Sequence, residues 1–464
     1  MIDDAILAGL LKRVLLRGGE YADIFVEHRG STAIQLEDDT IEKVLTGMNA
    51  GVGVRLICNG KTAYGFTNDF SLASLHALAD TVSKAFTGGT ESGKEPVFDM
   101  KRLKPLVTFP VRRDPSGIHV SDKVAIVKKG NEAARKFDPR ISQVGVIYRD
   151  TLQRVKIFTS DGTIAEEERF YTMGMVQVVA REGETIQTGY EPVGGLIGYE
   201  LFDENPMEVV GAKAAERAIL MLRAGRAPGG RMPVVISSEA GGTMIHEAIG
   251  HGLEADLAQQ GLSVYSGKKG QQVASSVITV LDDATIPYKR GSFSFDDEGS
   301  PSQRNVLVKD GILVNYMYDR LTAMKDGVSS TGNGRRESYD SKPIPRMTNT
   351  FIAPGTVDPA EVVRSVDKGL LVRKMGGGQV NTVTGDFVFE VQEGYLIENG
   401  EVGEPVRGAT LIGSGPEVLN SIDMVGTDLG FSIGTCGKDS QGVPVSDAMP
   451  TLRIPEIVVG GEVR

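Results

Sequence analysis

His246-Glu247-Ala248-Ile249-Gly250-His251 is the stretch on which the reading of this chain turns. Two imidazoles flank a carboxylate, which together are the parts of a metal hydrolase: two ligands and a base. The chain has five histidines in all, so two of them beside a glutamate on a predicted helix carry information. In the zinc-protease helix HExxH the histidines stand four apart on one face, with the glutamate as base. Here the second histidine comes one residue later. On a regular helix of about 3.6 residues per turn the two rings would point roughly 140° apart, too far to share an ion. Gly250 sits immediately before His251, and the spacing predicts a wide π-type turn or a helix break there, returning both rings to one side. Read without that distortion, His246 and His251 are ordinary residues beside the apolar stripe Ile245, Ala248, Ile249, Leu253 and Leu257.

Two histidines do not complete a site. Catalytic zinc takes three protein ligands and keeps a further position for water, so another Cys, His, Asp or Glu is required. Glu254, at helical i+3 spacing from His251, is one candidate, as a ligand or as a partner behind the ligands. Cys436 is the other, in the glycine-rich turn Gly434-Thr435-Cys436-Gly437-Lys438. Taken alone, a free cysteine reads as a small buried hydrophobe.

Four runs, in order along the chain, carry a resemblance. They are Thr243 to Asp256, Gly291-Ser292-Phe293 through Asp297-Glu298-Gly299, Gly332-Asn333-Gly334-Arg335-Arg336-Glu337-Ser338, and Cys436-Gly437-Lys438 to Pro450-Thr451-Leu452-Arg453. Together they resemble the TldD/PmbA family. The likeness is strongest from about Met232 to Ile454 and weaker through Leu36-Glu37-Asp38 and Gly51-Val52-Gly53-Val54. The HExxxH run places the chain with the TldD type, since the PmbA (TldE) type lacks it. This resemblance implies a metallopeptidase whose zinc ion (Zn2+) is held by His246, His251 and Cys436, with Glu247 as general base; with Cys436 as third ligand, Glu254 is read as a partner behind the ligands. It also implies peptides or unfolded polypeptides as substrates, and a homodimer or a heterodimer with a PmbA (TldE)-type subunit. One departure is visible: Ser440 stands where the family usually has glycine, which alters the turn after Cys436. The different reading is a non-catalytic regulatory or chaperone-like subunit with a structural zinc; a closed four-ligand site would favour it. A peptidase without strict sequence preference holds its substrate by backbone hydrogen bonds, so the cleft is expected on an accessible strand edge among the strands after the zinc helix.

Composition narrows the class. A chain of 464 residues has room for two or three domains with sizeable cores. Two cysteines, Cys58 and Cys436, make no disulfide framework and fit a reducing, cytoplasmic setting. Apolar runs of about 18 residues are lacking, so no membrane span is expected. A net charge of −11 speaks against a nucleic-acid surface. Arg335-Arg336 and Lys268-Lys269 are short basic clusters and read as solvated turns rather than basic pockets.

The pattern along the chain is α+β, with an amino-terminal α/β half and a β-rich carboxy-terminal half carrying the zinc helix. Helical periodicity appears at about Asp4 to Leu16, Ser71 to Phe86, Ser121 to Lys136, Pro206 to Arg223, Thr243 to Ala258 and Asp358 to Lys368. The last begins with Asp358 as N-cap, Pro359 in the first turn and Glu361 for a capping box. Asn59-Gly60, Asp161-Gly162, Asp310-Gly311 and Asn399-Gly400 are hairpin signals. Ala224 to Gly230 reads as a linker before a strand Met232 to Ser237. It divides the chain into an amino-terminal region, 1–223, and a β-rich metallopeptidase domain, 231–464, with a softer boundary at Thr87 to Val107. Gly376-Gly377-Gly378 has no Walker lysine after it and is not read as a phosphate loop.

Overall fold

The computed structural model describes residues 2–86 and 97–462. Residues 87–96 of the softer boundary therefore lie outside the described residues.

Long alternating runs build the amino-terminal half. Tyr21–Glu37, Thr40–Cys58, Ile141–Thr159 and Thr163–Glu182 are 17, 19, 19 and 20 residues long and join antiparallel. Lys61–Thr67, Lys101–Arg102 and Thr185–Leu196 complete a seven-stranded sheet. Because successive side chains on a strand face opposite ways, each long strand serves two neighbours. Even-numbered residues such as Ile24, Val26, Val146 and Val176 face helices: Asp4–Leu15 and Leu72–Lys84 in one cluster, Val120–Phe137 and Met207–Arg223 in the other.

Odd-numbered residues face the carboxy-terminal half. Phe25, Val155, Ile157 and Ala165 pack there against Phe295 and Tyr339. Charged groups on the same face pair across the junction. Arg55 donates to Asp23 at 2.6 Å and lies 2.7 Å from Glu298; Arg169 donates to Asp297 at 2.7 Å; Ser338 donates to Glu27 at 2.7 Å. Arg55 and Arg169 thus meet opposite charges across the junction, while the buried Glu27 carboxylate is satisfied by neutral donors.

An eight-stranded and a six-stranded sheet form the carboxy-terminal half. Their inner faces, including Val234, Leu370, Phe389 and Ile454 from the first and Val280, Ile352, Val443 and Val445 from the second, share one core with Met244, Ile245, Ala248, Ile249 and Leu253. The segment that bears His246 and His251 is thus held between two sheets. The protein is α+β throughout, and all four hairpin signals form turns, three of them with positive φ at both residues: Asn59-Gly60 (50° and 68°), Asp310-Gly311 (49° and 82°) and Asn399-Gly400 (53° and 76°).

Two local expectations, the end of the last helix and the linker, give way to tertiary pairing. The last predicted helix runs only over Pro359–Arg364, and its Asp358 cap takes the Ala360 amide. Lys368 begins a strand instead, because Leu370, Leu371 and Val372 pair in parallel with Val234, Val235 and Ile236. Gly376 to Gly378 lies inside that strand, where a Cβ on Gly378 would sit 2.0 Å from the Phe389 ring. Within Ala224 to Gly230, Gly225–Arg226 pairs with Val406 and Arg407. No helix among the described residues is long and apolar enough to cross a membrane.

Candidate metal centre

Thr243 to Gln259 is not one helix. An α turn at Thr243–Ile245 gives way to a π-helix at His246–Gly250, a 3-10 turn at His251–Leu253 and a short helix at Ala255–Gln259. The wide π turn absorbs the extra residue of the HExxxH spacing, and the two rings stand 5.0 Å apart, edge to face. Gly250 is needed for this packing: a Cβ there would lie 2.2 Å from Met347 Sδ, inside the core. Gly250→Ala is expected to cost about 1–3 kcal/mol of stability, as overpacking of a full core does. Denaturant unfolding of the purified variant measures it, and an unchanged midpoint would deny the glycine this role.

Cys436 comes from Gly430–Lys438, which is the outer strand of the six-stranded sheet. Its thiol faces inward with Val443 and Val445 and reaches the histidines: Cys436 Sγ is 3.5 Å from His251 Nε2. One donor atom from each of His246, His251 and Cys436 falls within 4.8 Å of the others. Two imidazoles and a thiol at this separation suit a soft, tetrahedral ion such as zinc. Burial alone would raise the Cys436 thiol, but hydrogen bonds and charge from both histidines outweigh it and bring its pKa down to about 5. The sulfur is thereby available as thiolate, the form that binds metal.

The other alternative, Glu254, sits behind the ring. Its Oε2 lies 3.0 Å from His251 Nδ1 and 3.1 Å from Lys438 Nζ. Although burial pushes this carboxyl up, Lys438 and His251 pull it down to about 2. A carboxylate on Nδ1 leaves Nε2 directed at the cysteine, which is how a metal-binding histidine is usually oriented.

Asp447 faces the His246 ring more loosely, beyond hydrogen-bond length. Its Oδ2 is 3.7 Å from His246 Nδ1, and its Oδ1 accepts from the Gly242 amide at 3.2 Å, tying the start of the helical segment to the next strand. Sequence reading missed this residue. Its signal is a lone acid in the buried strand Gln441–Met449. Arg346, wholly buried, was also missed; it donates to the Cys436 carbonyl at 2.5 Å and fixes that strand from below.

A cleft of about 350 Å³ opens over the three donors, bordered by Glu247, Leu257, Val380 and Thr435. Glu247 is partly exposed here and takes no hydrogen bond or ion pair from the described residues. Burial raises its pKa above the ordinary carboxylate value. The Cys436 strand pairs with Gln441–Met449 alone among the described strands, so one edge is open. Two carbonyls of that strand, at Gly434 and Cys436, are already bonded by Arg290 and Arg346.

Arg335 and Arg336 are not in a solvated turn. They are 4 % and 3 % exposed, because Arg335 donates to the carbonyls of Met347 and Pro444 and Arg336 to that of Asp297. Lys268-Lys269 does lie at the surface, with Lys269 exposed.

Three family models match the chain consecutively: PmbA/TldA metallopeptidase domain 1 at residues 22–86, the central domain at 113–222 and the C-terminal domain at 229–461. The metalloprotease TldD homolog of Haemophilus influenzae is 38 % identical over 96 % of this chain and 94 % of its own length. The chain belongs to the TldD/PmbA family of metallopeptidases. A further TldD/PmbA relative, from Saccharolobus solfataricus, is named a zinc metalloprotease TldD homolog and is 27 % identical over 98 % of this chain and 99 % of its own. TldE from Thermococcus kodakarensis superposes with a TM-score of 0.78 over 99 % of each chain at 18 % identity, which shows the common TldD/PmbA fold.

Ser440, the departure from the family pattern, falls in the two-residue turn between the Cys436 strand and its partner. Asp439 and Ser440 have φ of 50° and 59°, the left-handed pair that such a hairpin demands. The turn is kept at the expense of strain that glycine would not carry. Ser440→Gly is expected to raise stability by roughly 0.5–1 kcal/mol. A urea midpoint that falls or stays fixed would contradict this.

Proposed function

We propose that this protein is a zinc-dependent peptidase of the TldD type, hydrolysing peptide bonds in peptides or unfolded polypeptides. The observation that carries the reading is the grouping of His246, His251 and Cys436 within 4.8 Å beneath an open cleft that Glu247 also borders. In it the first three residues hold the metal and Glu247 is the base. No fourth Cys, His, Asp or Glu joins the three among the described residues, which favours a catalytic over a closed structural site. Bound there, zinc acts as a Lewis acid, bringing the pKa of water toward ~7 and polarising the scissile carbonyl. Glu247 accepts the attacking water's proton on its carboxylate and passes it to the leaving amine. Burial raises its pKa above the ordinary carboxylate value, in the direction that helps a base hold the proton it takes. Glu254 holds the His251 ring and Asp447 faces that of His246, and Arg346 and Lys438 hold the strand and the acid behind them.

The free edge of the Cys436 strand offers backbone groups to an extended peptide, while folded proteins lack a free strand to present there. In this reading residues 231–464 form the metallopeptidase domain and 1–223 the region that walls it. The partner is a second copy or a TldE-type subunit, and the two free cysteines, Cys58 and Cys436, are compatible with a reducing, cytoplasmic setting. Incubation with an unfolded polypeptide, followed by mass spectrometry, tests the activity. New amino termini that vanish on chelation and return with zinc are expected; intact polypeptide at full zinc occupancy would defeat the reading.

A further inference from the structure

The basic pair Arg335-Arg336 opens onto a second cavity, of about 360 Å³, between the amino-terminal sheet and the carboxy-terminal half. Arg29, Arg149, Arg169 and Arg290 border it as well. Arg29 and Arg149 arrive there by strand alternation, as odd-numbered residues on the face turned away from the helices. Two of the six arginines are paired with acids: Arg169 with Glu167 and Asp297, and Arg336 with Asp23, while the Arg336 guanidinium also donates to the Asp297 carbonyl. The other four are not. Among the described residues, the Arg335 side chain donates only to the Met347 and Pro444 carbonyls, and the Arg290 side chain only to the Gly434 carbonyl and Thr435 Oγ1. Arg29 and Arg149 have no hydrogen bond or ion pair with the described residues. Of the two acids at the cavity, Asp297 is committed to Arg169 and the Arg336 amide, and Glu337 accepts from the Gly442 amide. Burial first, then the charge of Arg149, Arg29 and Arg335, holds Arg290 below the usual guanidinium value; burial does the same for Arg335, with Asp297 opposing it.

Four arginines without an ion pair, facing the single uncommitted carboxylate Glu337, leave a surplus of positive charge around one cavity, and an anion relieves the repulsion among them. Thr435 tells which anion. It borders this cavity and the metal cleft alike, and it immediately precedes Cys436. A group bound to Arg290 therefore lies just across one strand from the proposed metal. We propose that the cavity framed by Arg29, Arg149, Arg290 and Arg335 binds a carboxylate of the peptide substrate, from an acidic side chain or the C-terminus, so that acidic peptides are preferred. The proposal rests on the peptidase reading above for its substrate class, and on the unpaired arginines for its charge.

Equilibrium binding tests it without turnover. Fluorescent unfolded peptides are titrated into the full-length Glu247→Gln protein in matched pairs, free C-terminus against C-terminal amide and internal Glu against Gln. Carboxylate peptides should bind about tenfold or more tightly in at least one pair, as charge-assisted contacts to several arginines imply. The pair that differs identifies the source of the carboxylate. Arg29→Gln with Arg149→Gln should bring that ratio toward one; neither side chain has a partner among the described residues to lose, and circular dichroism verifies the fold. Equal affinities before substitution, or a ratio that survives it, would overturn the proposal. So would inorganic phosphate competing as strongly as the acidic peptide, which would make the cavity a free-anion site. Preference in binding with no hydrolysis by the wild-type protein would defeat the peptidase reading alone, whereas hydrolysis with no preference would defeat the anion cavity alone.

Discussion

Cys436→Ala is expected to lose bound zinc and peptide hydrolysis together, while the fold survives. The sulfur supplies one of three donors within 4.8 Å, and alanine offers nothing in its place. Loss of a partner behind a ligand typically costs about 10- to 100-fold in metal affinity, and loss of a ligand should exceed that. Glu254→Gln provides the comparison, since it removes the charge that faces His251 Nδ1 at 3.0 Å but no donor to the ion. Metal analysis after dialysis separates the two: near-zero zinc for Cys436→Ala, reduced affinity for Glu254→Gln. If Cys436→Ala retained full zinc and full activity, the thiolate would not be a ligand and Glu254 would take its place as the third donor.

Glu247→Gln should do the reverse. The amide keeps the size of the side chain and most of its hydrogen bonding but cannot take a proton. Zinc content and fold should persist while turnover falls about 10²- to 10⁴-fold, the usual consequence of removing a general base. Steady-state hydrolysis beside metal analysis makes the measurement. A Gln variant that cleaves unfolded peptides at the wild-type rate, with equal zinc, would remove Glu247 from the chemistry and favour a regulatory role.

What was legible in the sequence was mostly local. Five-residue spacing with Gly250 before His251 calls for a distorted helix, and a π turn is found there, because the spacing and the requirement for one shared site leave few geometries. Asn-Gly and Asp-Gly pairs signalled turns through their tolerance of positive φ. What escaped was set by distant partners. Lys368 left its predicted helix because Leu370 to Val372 had a parallel strand waiting at Val234 to Ile236. Arg335 and Arg336 looked like surface charges because nothing near them in sequence shows that Met347, Pro444 and Asp297 offer carbonyls to them. Asp447 and Arg346 join the site only when the six-stranded sheet brings the Cys436 strand beneath the helical segment. Cys436 itself was reached through the family resemblance; nothing in its spacing to His251 points there.

Stepwise addition of zinc to metal-free protein, with hydrolysis of an unfolded peptide followed at each step, bears most directly on the central claim. Activity should rise in proportion to bound metal and level off at one zinc per site, with Cys436→Ala taking up none. Hydrolysis that is already complete in the metal-free protein, or a fully zinc-loaded protein that cleaves nothing, would contradict it.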